Sequence, residues 1–266
     1  MASTVMSEQR KEMLKRERRN KVTTIIAPIV TFAAILIIWE ILVVSLEIPA
    51  WKIPRPSAVF TSMVVDFQSF LPHIIRSYST IIMGYACAIV IGITLAALIN
   101  NFKLLGIALT PYLNMLCTTP VITLVPLLLL WLGFGQWVMV LAVALQAFPI
   151  LNMNAGTGFN NVEVLRRELM QSMRASRVQT FFNCILPASL PNVFTGMKLS
   201  GIFATTACIS SEFSGGSKGL GAQIIANTQF MRMDMAFACI FYVAIIGIFL
   251  YSLVSFIEAK VIKWKI

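Results

Sequence analysis

The sequence predicts an all-α integral membrane protein with six transmembrane helices and both ends in the cytoplasm, and three observations carry that prediction. Hydrophobic residues make up 58% of the 266-residue chain and charged residues only 12%, which is too apolar and too charge-poor for a soluble domain. The apolar residues fall in runs close to the roughly 20 needed for a helix to cross a hydrocarbon layer. Basic residues are distributed unevenly over the segments between those runs, and that asymmetry sets the orientation.

Residues 1–21 read as a basic cytoplasmic tail in which Lys and Arg alternate with Glu8, Glu12 and Glu17. Glu12 and Arg16 have helical i,i+4 spacing, so a solvated helix attracted to anionic headgroups is expected. Residues 22–266 then form one transmembrane domain. A basic segment before an apolar run imitates a signal peptide, but residues 22–45 are longer than an h-region and suffice to span. Glu40, near the outer end of this first span, is expected to anchor the helix at the interface rather than to meet a solute. Pro49, Pro54 and Pro56 exclude regular helix over residues 48–57, and residues 59–70 read as a short interfacial helix. Further spans are expected at residues 79–99, 104–129, 136–151, 191–211 and 235–257. Pro111, Pro120 and Pro126 mark the third span as the one to be kinked or broken. Gly133 and Gly135 mark the hairpin after it.

One polar interval, residues 160–191, interrupts the second half. Val162, Leu165, Leu169 and Met173 recur three and four apart, and Glu163, Arg166, Arg167 and Glu168 fill the other side, so the spacing predicts an amphipathic helix with Asn161 as its N-cap. Ser176 is placed to cap a second short helix whose apolar side is Val178, Phe181, Phe182 and Ile185, with Pro187 and Pro191 ending it. The chain must bend between the two, over residues 174–176. Taken alone, such a pair serves equally to lie on the bilayer surface or to engage a partner. Orientation puts it inside: the N-terminal tail, Lys103, Arg166, Arg167, Arg174, Arg177, Lys260, Lys263 and Lys265 gather on the cytoplasmic side, leaving Lys52, Arg55, Arg76, Lys218 and Arg232 outside.

The net charge of +10 is explained by this topology and does not call for nucleic acid. Five cysteines without a C-x-x-C pair and a single histidine, His73, leave no material for a metal site, and no catalytic set is visible. Gly215-Gly216-Ser217-Lys218-Gly219 matches the nucleophile-elbow pattern, so an intramembrane serine protease is an alternative. It lacks a strand-turn-helix context, and a glycine-rich turn accounts for it better. A secondary transporter or channel subunit is the other alternative, though inverted repeats and mid-span charges, its usual marks, are not apparent. No Gly-x-x-x-x-Gly-Lys-Ser/Thr occurs, so this chain has no phosphate cradle and needs no cofactor of its own. Asn114, Thr118, Thr119, Thr123, Gln146, Asn152, Ser210, Ser211 and Glu212 lie within or at the ends of the third to fifth spans, where polar groups need partners or line a passage. Thr118 and Thr119, beside the helix-disrupting Pro120, are best placed to offer hydrogen bonds at mid-membrane. Lys198, about 10 Å into the fifth span at 1.5 Å per residue, reaches the cytoplasmic face by snorkelling.

The polar interval also resembles the cytoplasmic loop of the membrane subunits of binding-protein-dependent ABC importers, which carries Glu-Ala-Ala, three residues, Gly, nine residues and Ile-x-Leu-Pro. Here the frame reads Glu168-Leu169-Met170, Arg174 and Cys184-Ile185-Leu186-Pro187. Glu168, Leu186, Pro187, the flanking Ala175-Ser176 and Pro191 fit, while Leu169, Met170, Arg174 and Cys184 depart. Arg174 stands where the family bends at Gly. A non-Gly residue with positive φ costs about 1 kcal/mol, so either the bend is made differently or a partner surface compensates. The resemblance continues through Ile53-Pro54-Arg55-Pro56-Ser57, Leu130-Trp131-Leu132-Gly133-Phe134-Gly135, Phe148-Pro149-Ile150, Gly196-Met197-Lys198-Leu199, Glu212 and Gly219-Leu220-Gly221. Together these look like the nitrate, taurine and aliphatic-sulfonate branch. The resemblance implies a type I importer permease, working as a homodimer in a prokaryotic cytoplasmic membrane with the passage at the dimer interface. It implies ABC ATPase subunits that bind ATP and Mg, an extracytoplasmic substrate-binding protein, and a small solute that is nitrate-, sulfonate-, taurine- or vitamin-precursor-like. It further implies a coupling loop, residues 152–190, that meets the ATPase through Leu165 and Leu169 as apolar contacts, Glu168 and Arg174 as charged ones, and Ala175 and Ser176, with Leu186 and Pro187 as the rigid re-entry to the fifth span.

Overall fold

A computed structural model describes residues 26–263, and among them all regular structure is helical. The N-terminal tail lies outside the described residues. Helix α1 (Ile26–Ser45) is the first apolar span. Glu40 on α1 accepts the backbone N–H of Ser57 at 3.0 Å and its hydroxyl at 2.7 Å. Its carboxyl group thereby covers the exposed amides at the start of α2 (Pro56–Val65). Pro56 suits the first position of α2, where its missing N–H would be unpaired in any case. Trp39 packs on Phe237 with ring centroids 5.5 Å apart, and Val43 is buried, so α1 touches the bundle along its C-terminal half.

Helix α3 (Phe67–Asn101) is longer than the expected span and absorbs the end of the expected interfacial helix. Pro72 falls near its start, where one forfeited hydrogen bond does not end it. Helices α4 (Lys103–Thr118) and α5 (Val121–Leu132) meet at 100°. Thr119, held extended by the proline that follows it, and Pro120, which has no N–H to donate, make the break. At about 1.5 Å per residue neither piece crosses alone.

Helix α6 (Gln136–Asn160) runs past residue 151, the end predicted from hydropathy. Its polar turns remain helical because their side chains are paired: Asn154 and Thr157 donate to carbonyls one turn back, and Asn152 donates to the Gly92 carbonyl at 3.2 Å. Helices α7 (Val164–Ser172) and α8 (Arg177–Thr180) follow, then a π-helical turn (Phe181–Ile185) and α9 (Leu186–Gly215). Pro187 and Pro191 do not end the second loop helix. The Leu186 N–H bonds the Phe181 carbonyl five residues back, and this widened turn carries the chain past Pro187 into a continuous 39-residue run, Arg177–Gly215. Helix α10 (Leu220–Gln229), which the sequence reading did not anticipate, precedes α11 (Met233–Val261). Among the described residues five helices are long and apolar enough to cross a membrane, or six if the bent α4–α5 pair counts as one span.

The core is the stack of α3, α6 and α9. On α3, a Cβ added at Gly84 would lie 2.6 Å from the Val143 side chain, and on α9 one at Gly196 would lie 2.7 Å from Asn154 Cβ. Hydrocarbon offers no hydrophobic drive between helices, so such close approach is what holds them. Helix α11 closes the bundle against α2, where Tyr242 donates to the Met63 carbonyl and Ser62 to Asp234, both at 2.7 Å.

Candidate functional site

The loop between α6 and α9 is built on a small core of its own. Val162, expected on the apolar face of the loop helix, lies ahead of it and is buried with Phe159, Phe181, Ile185 and Val193. Asn161 closes α6 rather than capping α7, whose N-cap position is Glu163 with no side-chain cap bond. Arg167 turns inward and donates to the Phe159 carbonyl, pinning α7 to the end of α6. The rest of α7 is bare: no residue of this nine-residue helix is buried, and Leu165, Leu169 and Met173 are 74%, 61% and 70% exposed. Beside Leu169, a groove of about 310 Å³ runs between α7 and the start of α9, lined by Arg166, Met170, Cys184 and Pro187.

Arg174 makes the bend, at φ +54°. Its N–H bonds the Gln171 carbonyl at 2.8 Å, and the Ala175 N–H bonds the Met170 carbonyl at 3.0 Å. This pair of bonds is the Schellman closure that glycine ordinarily makes, here carried by a residue that pays for the left-handed conformation. Ser176 then starts α8 as expected: its hydroxyl accepts the Gln179 N–H at 3.2 Å while Gln179 accepts the Ser176 N–H at 2.8 Å. Gln179, the second half of this capping box, was legible three residues on and was missed. Glu168, Arg174 and Ser176 are exposed, Ala175, Leu186 and Pro187 half-buried. Among the described residues neither Glu168 nor Arg174 has an ion-pair partner.

The predicted passage residues separate into three groups. Thr118, Thr119 and Thr123 donate to carbonyls of Met115 and Pro120 in their own chain segment, so their protons are spent; Asn114 is exposed one turn before Thr118. Gln146 and Ser210 are half-buried and line one cavity. Ser211 and Glu212 are buried inside the bundle, at 0% and 1% exposure. Ser211 donates to the Cys208 carbonyl at 2.7 Å.

Glu212 is the centre of a buried knot at the α10 end of the bundle. Its carboxyl oxygens accept from the Ser77 hydroxyl at 2.7 Å and from the Gly221 N–H at 2.8 Å. Ser77 in turn accepts the Leu220 N–H at 2.8 Å, and His73 Nδ1 accepts the Gly219 N–H at 3.2 Å. The first amides of α10, orphaned by the helix geometry, are thus satisfied from α3 and α9. Ser217 is exposed in the turn before this knot, in no strand-turn-helix setting. Lys198 is paired with Glu258 of α11 and lies 5.7 Å from the Tyr251 ring, instead of snorkelling to water.

An all-helical chain with up to six crossings, one of them broken, and a bent pair of uncovered helices between two spans has the architecture of a multi-pass transport permease. The chain belongs to the family of binding-protein-dependent transport system inner membrane components, whose model matches residues 88–263. It is 27% identical over 241 residues to the formylaminopyrimidine transport permease protein ThiX of Halalkalibacterium halodurans, covering 90% of this chain and 95% of that one. It is 24% identical over 241 residues to the taurine transport system permease protein TauC of Escherichia coli, covering 88% of each. Among solved structures it resembles that of an amino acid ABC transporter with histidines at TM-score 0.62 and 16% identity, over 76% of this chain and 98% of that one, which speaks for the fold. The chain is therefore the permease component of an ABC importer, similar to the nitrate, taurine and aliphatic-sulfonate branch. Membership of this family overturns the protease, secondary-transporter and channel alternatives.

Proposed function

We propose that two copies of this chain form the passage of an ATP-driven importer in a prokaryotic cytoplasmic membrane. Both chain ends and the α7–α8 pair face the cytoplasm in this reading, and residues 22–266 act as one permease domain. The coupling loop, residues 152–190, comprises the inner end of α6, α7, α8, the π turn and the first turn of α9. Helix α7 docks on an ABC ATPase that binds ATP and Mg, and an extracytoplasmic binding protein delivers a small solute of the nitrate, sulfonate, taurine or vitamin-precursor kind. The observation that carries the reading is the bare apolar face of α7. An amphipathic helix is stable when that face is covered, and here Leu165, Leu169 and Met173 point away from the bundle that should cover them.

In the docked state Leu165 and Leu169 fill an apolar groove on the ATPase, Glu168 and Arg174 make charged contacts, and Ala175 and Ser176 set the turn that lies against it. Leu186 and Pro187 carry displacement into α9 as a rigid body, because the run from Arg177 to Gly215 has no loop in it to absorb movement. The passage then opens to one side at a time.

Glu168→Lys tests this. The variant is expected to insert normally while solute uptake by the whole complex falls at least about tenfold, the loss of one charge-assisted contact. Normal uptake with normal ATPase docking would count against the assignment of the loop.

A further inference from the structure

At the α4–α5 break, a cavity of about 200 Å³ opens between the start of α5, α6 and α9, with Gln146, Ser210 and Thr206 as its polar wall and Phe203, Pro120 and Ile122 as its apolar one. Its polar groups have an unusual balance. Gln146 Oε1 accepts the Val121 N–H at 3.2 Å, which fixes the orientation of the amide and leaves both protons of Nε2 without a partner among the described residues. Every other Ser and Thr of α9 returns its hydroxyl proton to a carbonyl of the same helix. Ser210 alone does not, although the same bond is sterically open to any helical serine. Thr206 donates to the Ile202 carbonyl and keeps only acceptor capacity. No Lys, Arg, His, Asp or Glu lines the cavity.

Resting on the reading of this chain as the passage-forming subunit, we propose that this cavity is where the passage touches its solute. It recognises, through Gln146 Nε2 and Ser210 Oγ, a head group of clustered acceptor oxygens such as a sulfonate, nitrate or carboxylate. Unspent donors beside an apolar wall suit a small solute with an oxygen-rich head and an apolar flank. Neither donor atom is sealed in the protein, so both reach the cavity, where a polar donor within a span gains free energy from water or a ligand. The absence of a cation is equally telling. Neutral donors hold an anion firmly enough to admit it and loosely enough to release it, which is what a transit site requires and a fixed Lys or Arg would defeat. The same absence separates this site from Lys198, whose ammonium is held by Glu258.

The test uses Ser210→Cys in the full complex, in membrane vesicles, with two thiol reagents of the same reactive group. One is 2-sulfonatoethyl methanethiosulfonate and the other its 2-trimethylammonioethyl counterpart, each rate being divided by that at an exposed reference outside the docking loop, Ser217→Cys. The sulfonate reagent is expected to be favoured at residue 210 by about tenfold over the reference ratio. Adding Gln146→Glu, which keeps the acceptor for Val121 and replaces the donor by an oxygen, is expected to abolish or reverse that preference. No labelling at residue 210, a cation preference, or a sulfonate preference indifferent to Gln146→Glu would each overturn the proposal. Recovery of the ATPase with the Ser210→Cys complex is scored separately: its loss would count against the importer reading, whereas unselective labelling of an intact complex counts only against this site.

Discussion

Gly219→Ala is the substitution on which the structure bears most directly. Gly219 has φ +126°, a conformation that side chains rarely adopt, and an added Cβ would sit 2.6 Å from Glu212 Oε2 and closer still to the carboxyl carbon. That is well inside the ~3.5 Å at which carbon contacts become favourable. Backbone strain at such a position costs about 1–3 kcal/mol. Pushing the carboxyl group away also breaks its bonds to Ser77 and Gly221, each worth about 1 kcal/mol net and more where the donor is left buried and unpaired. The sum is about 3–5 kcal/mol, which for a chain of this length corresponds to a fall of roughly 6–20 °C in unfolding temperature. The assay is the temperature at which detergent-purified protein ceases to elute as a folded species. Gly135→Ala is the control, since Gly135 has an extended φ of 173° and nothing within 4 Å of its added Cβ. Equal shifts for the two variants would refute the view that the Glu212 knot anchors α10.

Two other substitutions probe the loop and the α9–α11 contact. Arg174→Gly relieves about 1 kcal/mol of left-handed strain, partly offset by the freer unfolded chain, so the bend should be kept and ATPase co-purification should fall only by the lost charged contact. Arg174→Val should lower it further, because a β-branched residue resists that conformation, and unchanged assembly in the glycine variant would show that the arginine charge is not recognised. Lys198→Met alone strands Glu258 in a partly buried site and should destabilise by about 1–3 kcal/mol, whereas Lys198→Met with Glu258→Met should recover most of the loss, read as the same elution temperature.

How far the sequence could be read depended on whether the deciding interaction was local. Hydropathy located each span, and Pro120 marked the break, because a missing N–H and a constrained preceding residue act on the nearest turn. The helix ends were misplaced wherever polar residues continue a helix: Asn152 extends α6 by bonding Gly92 of α3, a partner 60 residues away. Pro187 carries the same local signal as Pro120 and has the opposite outcome, since it falls in the first turn of α9, directly after the π turn, where its missing N–H ends nothing. In the loop, the spacing of Leu165, Leu169 and Met173 and the Ser176 cap were plain, while the register of α7 slipped because Val162 is apolar for a different reason, burial under Phe159 and Phe181. Glu212 was visible as a costly group at the end of a span. Its partners Ser77 and Gly221 come to it only when α3, α9 and α10 pack, so its burial was not legible. Lys198 and Glu258 were hidden in the same way.

The central claim is that the uncovered face of α7 is an ATPase-docking surface. A photoreactive benzophenone side chain at position 169, irradiated in intact cells making the whole complex, tests it directly. The account predicts a covalent adduct of this chain with the ATPase subunit, absent when the same side chain replaces Ile248 on the exposed face of α11. Adducts at position 169 with lipid alone, while the complex remains assembled, would contradict it.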